Sequence, residues 1–128
     1  MEPLTEEEAN RRVQDLVRRA WTHPERSEPL YREALDLLEP FARADDPSIV
    51  TITNFGALLC DTGEHRRAAR LLKEAAQRDD RTAATHYNLA VALANLRDDA
   101  GARRHFEHHE RLPADDRTLE AYFDPHGH

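Results

Sequence analysis

Apolar residues in this chain recur at three- and four-residue spacing in short blocks separated by polar punctuation. Ala9, Val13, Leu16, Val17 and Ala20 form one such stripe, the spacing of an amphipathic helix. Thr5 stands before it with Glu8 three residues on, the pattern of a capping box. The spacing predicts a first helix over about 5–22, broken by His23-Pro24. Ser27 then caps a second, carrying Leu30, Ala34, Leu35, Leu38 and Phe41, with a kink or early end expected at Pro40. Asp46-Pro47 reads as the start of a third helix. It closes near Gly63, a residue suited to a left-handed stop. A fourth covers about 64–78, a fifth runs from about 80–82 to Arg97, and a sixth lies between Asp98 and Pro113. After Pro113, Asp115-Asp116 is expected to cap a short helix, Arg117 to Phe123. Its Leu119, Tyr122 and Phe123 would cover the open end of the stack.

The blocks repeat. With Asn54 laid on Asn88, an offset of 34 residues, Phe55 meets Leu89, Gly56 meets Ala90, Leu59 meets Leu93, Ala68 meets Ala102 and Leu72 meets Phe106. Another 34 residues back, Ala34 and Leu38 fall under Ala68 and Leu72. Two departures stand out. Arg97 occupies the place of Gly63, so the last turn is expected to be built differently. His109 occupies the place of Ala75, where a small packed residue is expected.

A helix-turn-helix unit of this length, with small residues where helices cross, resembles the tetratricopeptide repeat. The match runs over about 47–112 and weakens over 1–46. The implied fold is all-α: a right-handed α-solenoid of three hairpins (about 1–46, 47–80 and 81–114), closed by a short C-terminal capping helix within 115–128, the chain reading as complete. In proteins resembling this family, the first helix of each pair lines a concave groove that holds a peptide. Carried onto this chain, the groove residues are Thr53, Asn54, Ala57, Asp61, Tyr87, Asn88, Val91 and Asn95, flanked by Val50, Cys60, Ala84 and Ala94. Arg11, Gln14, Arg18 and Trp21 join from the first helix. Asn54 and Asn88 each offer a donor pair and an acceptor, suited to gripping a peptide backbone; the alternative is that they bond to neighbouring helices and solvent. The family's cationic clamp for acidic chaperone tails is not expected, because Ala84 and Asn88 stand where its cations would lie.

Composition narrows the partners. The 128 residues are one-third charged, with a formal net charge of −7, which disfavours nucleic acid and anionic membranes. The acidic start is no signal peptide, and the one cysteine suits a reducing compartment. The expected setting is cytoplasmic. Lys73 is the one lysine among 18 basic residues, an arginine bias typical of a GC-rich, bacterial genome. No cofactor and no enzymatic activity are expected, and homo-oligomerisation stays open.

Two chemical alternatives compete. His105, His108 and His109 share one helix, and with Glu110, His126 or His128 suggest a metal-binding or metal-sensing protein. No third ligand such as a cysteine is fixed close by in sequence, so packed or exposed imidazoles are the plainer reading. Cys60 with Asp61 and His65 invites a nucleophile, but a small buried cysteine is commoner. The pairs Arg66-Arg67 and Arg103-Arg104 recur one repeat apart and are expected on a solvated outer face with Glu64, Glu74, Asp98 and Glu107. The function these features imply is a non-enzymatic protein-interaction module, acting as an adaptor or a dedicated chaperone.

Overall fold

A computed structural model describes residues 2–124. Six helices follow one another: α1 (Glu6–Thr22), α2 (Ser27–Ala42), α3 (Ile49–Asp61), α4 (His65–Arg78), α5 (Ala83–Asn95) and α6 (Asp99–Glu110), with a 3-10 turn at Pro24–Arg26. Among the described residues there is no strand, and no helix is long and apolar enough to cross a membrane. Each helix packs on the next, and α3 also touches α1 and α5. The result is an α-solenoid of helical hairpins with α1, α3 and α5 as its inner layer.

The helix ends show how local chemistry sets the register. Thr5 Oγ1 accepts from the Glu8 N–H at 3.1 Å, and Glu8 Oε1 accepts from the Thr5 N–H at 3.3 Å, closing the capping box. Ser27 does not cap α2: the 3-10 turn feeds directly into the helix, and its N-cap, Arg26, makes no side-chain bond. Pro40 sits in the last turn of α2, which ends two residues later. At α3 the cap is Ser48 rather than Asp46; its Oγ accepts from the Thr51 N–H at 3.1 Å. Glu6 of α1 reaches the same turn, accepting from the Ser48 N–H at 2.9 Å, so the first and second hairpins are tied at their starts.

The two inter-helix turns of the later hairpins are built alike. Gly63 has φ +88°, and the Glu64 N–H reaches back to the Leu59 carbonyl at 2.8 Å. One repeat on, Arg97 has φ +68°, and the Asp98 N–H reaches the Leu93 carbonyl at 2.9 Å. The expected difference at Arg97 is therefore absent. The hairpin geometry imposes the left-handed conformation at a cost of about 1–2 kcal/mol for a non-glycine residue.

Residues 111–124 form no helix, and the expected capping helix is replaced by something else. Asp115 makes a tight turn, accepting from the Arg117 N–H and, through its carbonyl, from the Thr118 N–H. From there the chain runs extended across the inner layer. This explains a burial pattern that a solenoid alone would not produce. Every residue of Thr51–Cys60 in α3 is buried, and so are Ala83–Ala94 of α5 apart from Tyr87. Helices buried all round need cover on every side; here the neighbouring helices cover most of the surface and the extended segment covers the face that carries Asn54 and Asn88.

Close approach of α3 and α4 depends on Gly56. A Cβ there would lie 2.6 Å from Leu72 Cδ2 and 2.7 Å from Cγ, and Leu72 is fully buried. Alanine would gain about 1 kcal/mol in helix propensity, yet overpacking costs roughly 1–3 kcal/mol. Gly56→Ala is therefore expected to lower the thermal midpoint followed by circular dichroism. A raised midpoint would mean that the α3–α4 crossing has slack.

Candidate functional site: a backbone-reading groove

Asn54 and Asn88 occupy the same phase of α3 and α5, and both side chains are fully buried. Each amide grips the extended segment twice. Asn54 Nδ2 donates to the Arg117 carbonyl at 3.1 Å, and its Oδ1 accepts from the Leu119 N–H at 2.7 Å. Asn88 Nδ2 donates to the Leu119 carbonyl at 2.9 Å, and its Oδ1 accepts from the Ala121 N–H at 2.7 Å. The two asparagines thus act as a neighbouring strand would, bonding the groups that flank Thr118 and Glu120. One repeat of the protein corresponds to two residues of extended chain. Gln14 Nε2 donates to the Asp116 carbonyl at 2.7 Å, and Asp61 Oδ1 accepts from the Tyr122 N–H at 2.9 Å.

A second set of bonds orients these readers. Asn54 Nδ2 also donates to Asn10 Oδ1 at 2.9 Å, and Asn10 donates in turn to Thr51 Oγ1. Asn88 Nδ2 also donates to the Thr53 carbonyl at 3.2 Å. Each asparagine thus bonds a neighbouring helix, the alternative weighed from the sequence, and in addition the backbone of the chain's own C-terminal segment. Tyr31 donates its hydroxyl to Asp61 Oδ2 at 2.9 Å. Burial raises the Asp61 carboxyl above the usual range, partly offset by the bonds from the Tyr122 N–H and the Tyr31 hydroxyl.

The remaining expected groove residues divide. Ala57 and Val91 are buried in the core, and Tyr87 packs edge-on against Phe106, which in turn meets Phe123 at 5.1 Å between ring centres. Trp21 lies 5.8 Å from the Tyr122 ring. The side chains of Thr53 and Asn95 form their hydrogen bonds elsewhere: Thr53 shares a 2.6 Å hydroxyl contact with Thr85, and Asn95 bonds its own helix at Val91. Arg11 and Arg18 pair with Glu7 and Asp15 at the surface. Asn10 and Tyr31 were not expected. For Asn10 a signal existed, because it lies three residues before Val13 and seven before Val17, on the apolar face of α1. Arg67 departs from the expected solvated face: it pairs with Glu39 at 3.0 Å and sits 5.1 Å over the Phe55 ring.

The chemical alternatives take a different shape. Cys60 is buried with Sγ 3.6 Å from the Asn88 carbonyl, and burial together with the Asp61 charge pushes its thiol up to about 12; a thiolate nucleophile is not available at neutral pH. His105 faces not His109 but His86, Nδ1 to Nδ1 at 3.0 Å, while His108 stacks on His86 at 3.9 Å. His86 Nε2 lies 2.8 Å from the Asp80 carbonyl and donates to it, so its Nδ1 accepts from His105. His109 turns toward the Ala83 carbonyl at 3.3 Å and the Tyr87 ring. Among the described residues no group of three or more His, Cys, Asp or Glu side chains is arranged to hold a metal; His126 and His128 lie outside the described residues.

The tetratricopeptide repeat family model matches residues 49–78, which is the α3–α4 hairpin. The chain carries a tetratricopeptide repeat. The α5–α6 hairpin follows it in the same 34-residue register, down to the left-handed turn. No curated protein matches the chain.

Two outcomes follow from the titratable groups. Asp61→Asn keeps an acceptor for the Tyr122 N–H and offers a donor to the Tyr31 oxygen, without burying a charge. The melting midpoint should hold or rise, whereas Asp61→Ala leaves both partners unmatched and should cost about 1–3 kcal/mol. The His86–His105 pair gives a pH dependence of known sign. Burial lowers both pKa values and the neighbouring imidazoles add to it, while the bond to the Asp80 carbonyl partly opposes the shift at His86. The unfolded chain takes up protons near the ordinary value of about 6.5 that the folded pair refuses. Stability should fall as pH drops below that value, and His105→Gln should flatten the slope in urea titrations between pH 7 and 5.

Proposed function

We propose that the protein is a non-enzymatic interaction module that holds an extended segment of a partner protein along α1, α3 and α5, as an adaptor or a dedicated chaperone. The tetratricopeptide repeat supports protein binding in general. The observation that carries the more specific reading is the paired asparagine ladder. Two buried primary amides, one repeat apart, present a donor and an acceptor each at the spacing of an extended backbone. Such amides hold peptide groups of any sequence, so affinity comes from the backbone and selectivity from the side chains between. Ala84 and Asn88 stand where the cations of an acidic-tail clamp would lie, which disfavours a free acidic terminus as ligand, because a carboxylate wants charge-assisted donors.

The test is where a partner touches. A photoreactive residue at Trp21, 56% exposed beside the groove, should crosslink the native partner, and one at the exposed Arg103 on α6 should not. Asn54→Ala with Asn88→Ala should weaken the isolated complex by roughly thirtyfold or more, since four hydrogen bonds are lost at about 0.5–1.5 kcal/mol each. Affinity and melting must be read on the same samples, because both amides also bridge helices. Unchanged affinity in the folded double variant, or crosslinks from Arg103 alone, would remove the groove as the site. Arg103→Ala is the control substitution, as Arg67 is engaged with Glu39 and Phe55.

A further inference from the structure

The groove is already occupied by the chain itself. Residues 116–123 meet it as a ligand would: through backbone bonds to Gln14, Asn54, Asn88 and Asp61, and through alternate side chains. Leu119 and Phe123 pack on the core and Ala121 is 3% exposed, while Glu120 and Tyr122 face solvent. That two-residue alternation is the pattern of a strand lying on one surface. The segment also belongs to no helix and contributes no element of the hairpin stack.

We infer that residues 116–123 are a built-in competitor for the groove, and that the partner segment they stand in for is an extended stretch of protein with a large apolar, a small and an aromatic residue at alternate positions. This rests on the groove reading proposed above and adds to it both a selectivity pattern and a means of regulation. The asparagines cannot choose among sequences, because they contact only peptide groups. Choice falls to the covered positions, and the narrowest is that of Ala121, buried where its own N–H meets Asn88. A tethered segment on a short linker competes at an effective concentration of roughly millimolar. Partners of modest affinity are therefore excluded, and a partner must match the pattern well or be present at high local concentration.

A labelled peptide with the sequence of residues 114–124 serves as probe. The unaltered chain should take it up only near millimolar concentration. Ala121→Arg, too large for the covered position, should release the segment; Trp21, the one tryptophan, reports this in its emission because Tyr122 leaves its side. Peptide affinity should then rise at least tenfold, and adding Asn54→Ala should remove the gain. Should Ala121→Arg fail to fold, a protease site inserted at the exposed Pro113–Ala114 stretch leaves every groove contact intact, and after cutting the labelled peptide should replace the cut fragment. Equal affinity before and after release would overturn the inference. So would a cut fragment that no excess of peptide displaces, which would make 116–123 a fixed part of the core. A dimer of the unaltered chain that Ala121→Arg dissolves would put a second copy in the groove and overturn the foreign partner. Failure of the two readings is distinguishable: peptide exchange with a partner crosslinked only on the outer face removes the proposed function alone. A partner crosslinked at Trp21 without peptide exchange removes the competitor alone.

Discussion

The inner layer depends on one constraint: a buried backbone must have its hydrogen bonds made. The extended segment has no sheet to join and no helix of its own. Its peptide groups are satisfied instead by side chains of α1, α3 and α5, chiefly the two asparagine amides. Those amides in turn have no water to fall back on, since both are fully buried. Segment and groove therefore satisfy each other, and the consequences spread outward. With the inner face covered, α3 and α5 can be buried on nearly every side. With α3 buried all round, Gly56 and Leu72 can bring α4 against it, and the second hairpin becomes the centre of the core.

How far this was legible in the sequence depends on whether the deciding interactions are local. The capping box at Thr5, the stop at Gly63 and the apolar stripes lie within a turn or two of the residues they govern, and the helices follow them. The 34-residue offset carries the phase of Asn54 and Asn88 in the same way. Residues 117–123 are different because two periods fit them. Leu119, Tyr122 and Phe123 are spaced for a helix behind an Asp115 cap, while Leu119, Ala121 and Phe123 are spaced for a strand. The choice is made by Asn54, Asp61 and Asn88, roughly thirty to sixty residues upstream, and no local signal reports it. His86 was hidden for a related reason: its partners, Asp80 and His105, meet it only once α5 and α6 pair.

Arg97 shows the converse, a local preference overridden. Glycine would fit the left-handed turn more cheaply, yet the arginine adopts it because both flanking helices are fixed by packing, and the resulting turn reproduces that at Gly63 bond for bond. A penalty of about 1–2 kcal/mol is small beside the burial of Leu89, Leu93 and Ala102 that the hairpin brings about.

The energetics of the segment place it near balance. Six side-chain bonds hold its backbone at Asp116, Arg117, Leu119, Ala121 and Tyr122, together about 6 kcal/mol at the usual net value. Covering Leu119 and Phe123, each only partly, adds about 3–4 kcal/mol. Ordering residues 116–123 costs on the order of 10 kcal/mol in conformational freedom. The two sides match within a few kcal/mol, so the segment does not sit in a deep well, and its tether to the rest of the chain helps to keep it in place. An external chain offering the same backbone bonds starts with the same ordering cost and lacks the tether. It can win only through better side chains at the covered positions or through an ordering cost already met in its own protein. A segment pre-extended by its parent fold has that advantage, and the ladder of neutral amides would receive it without regard to the residues facing solvent.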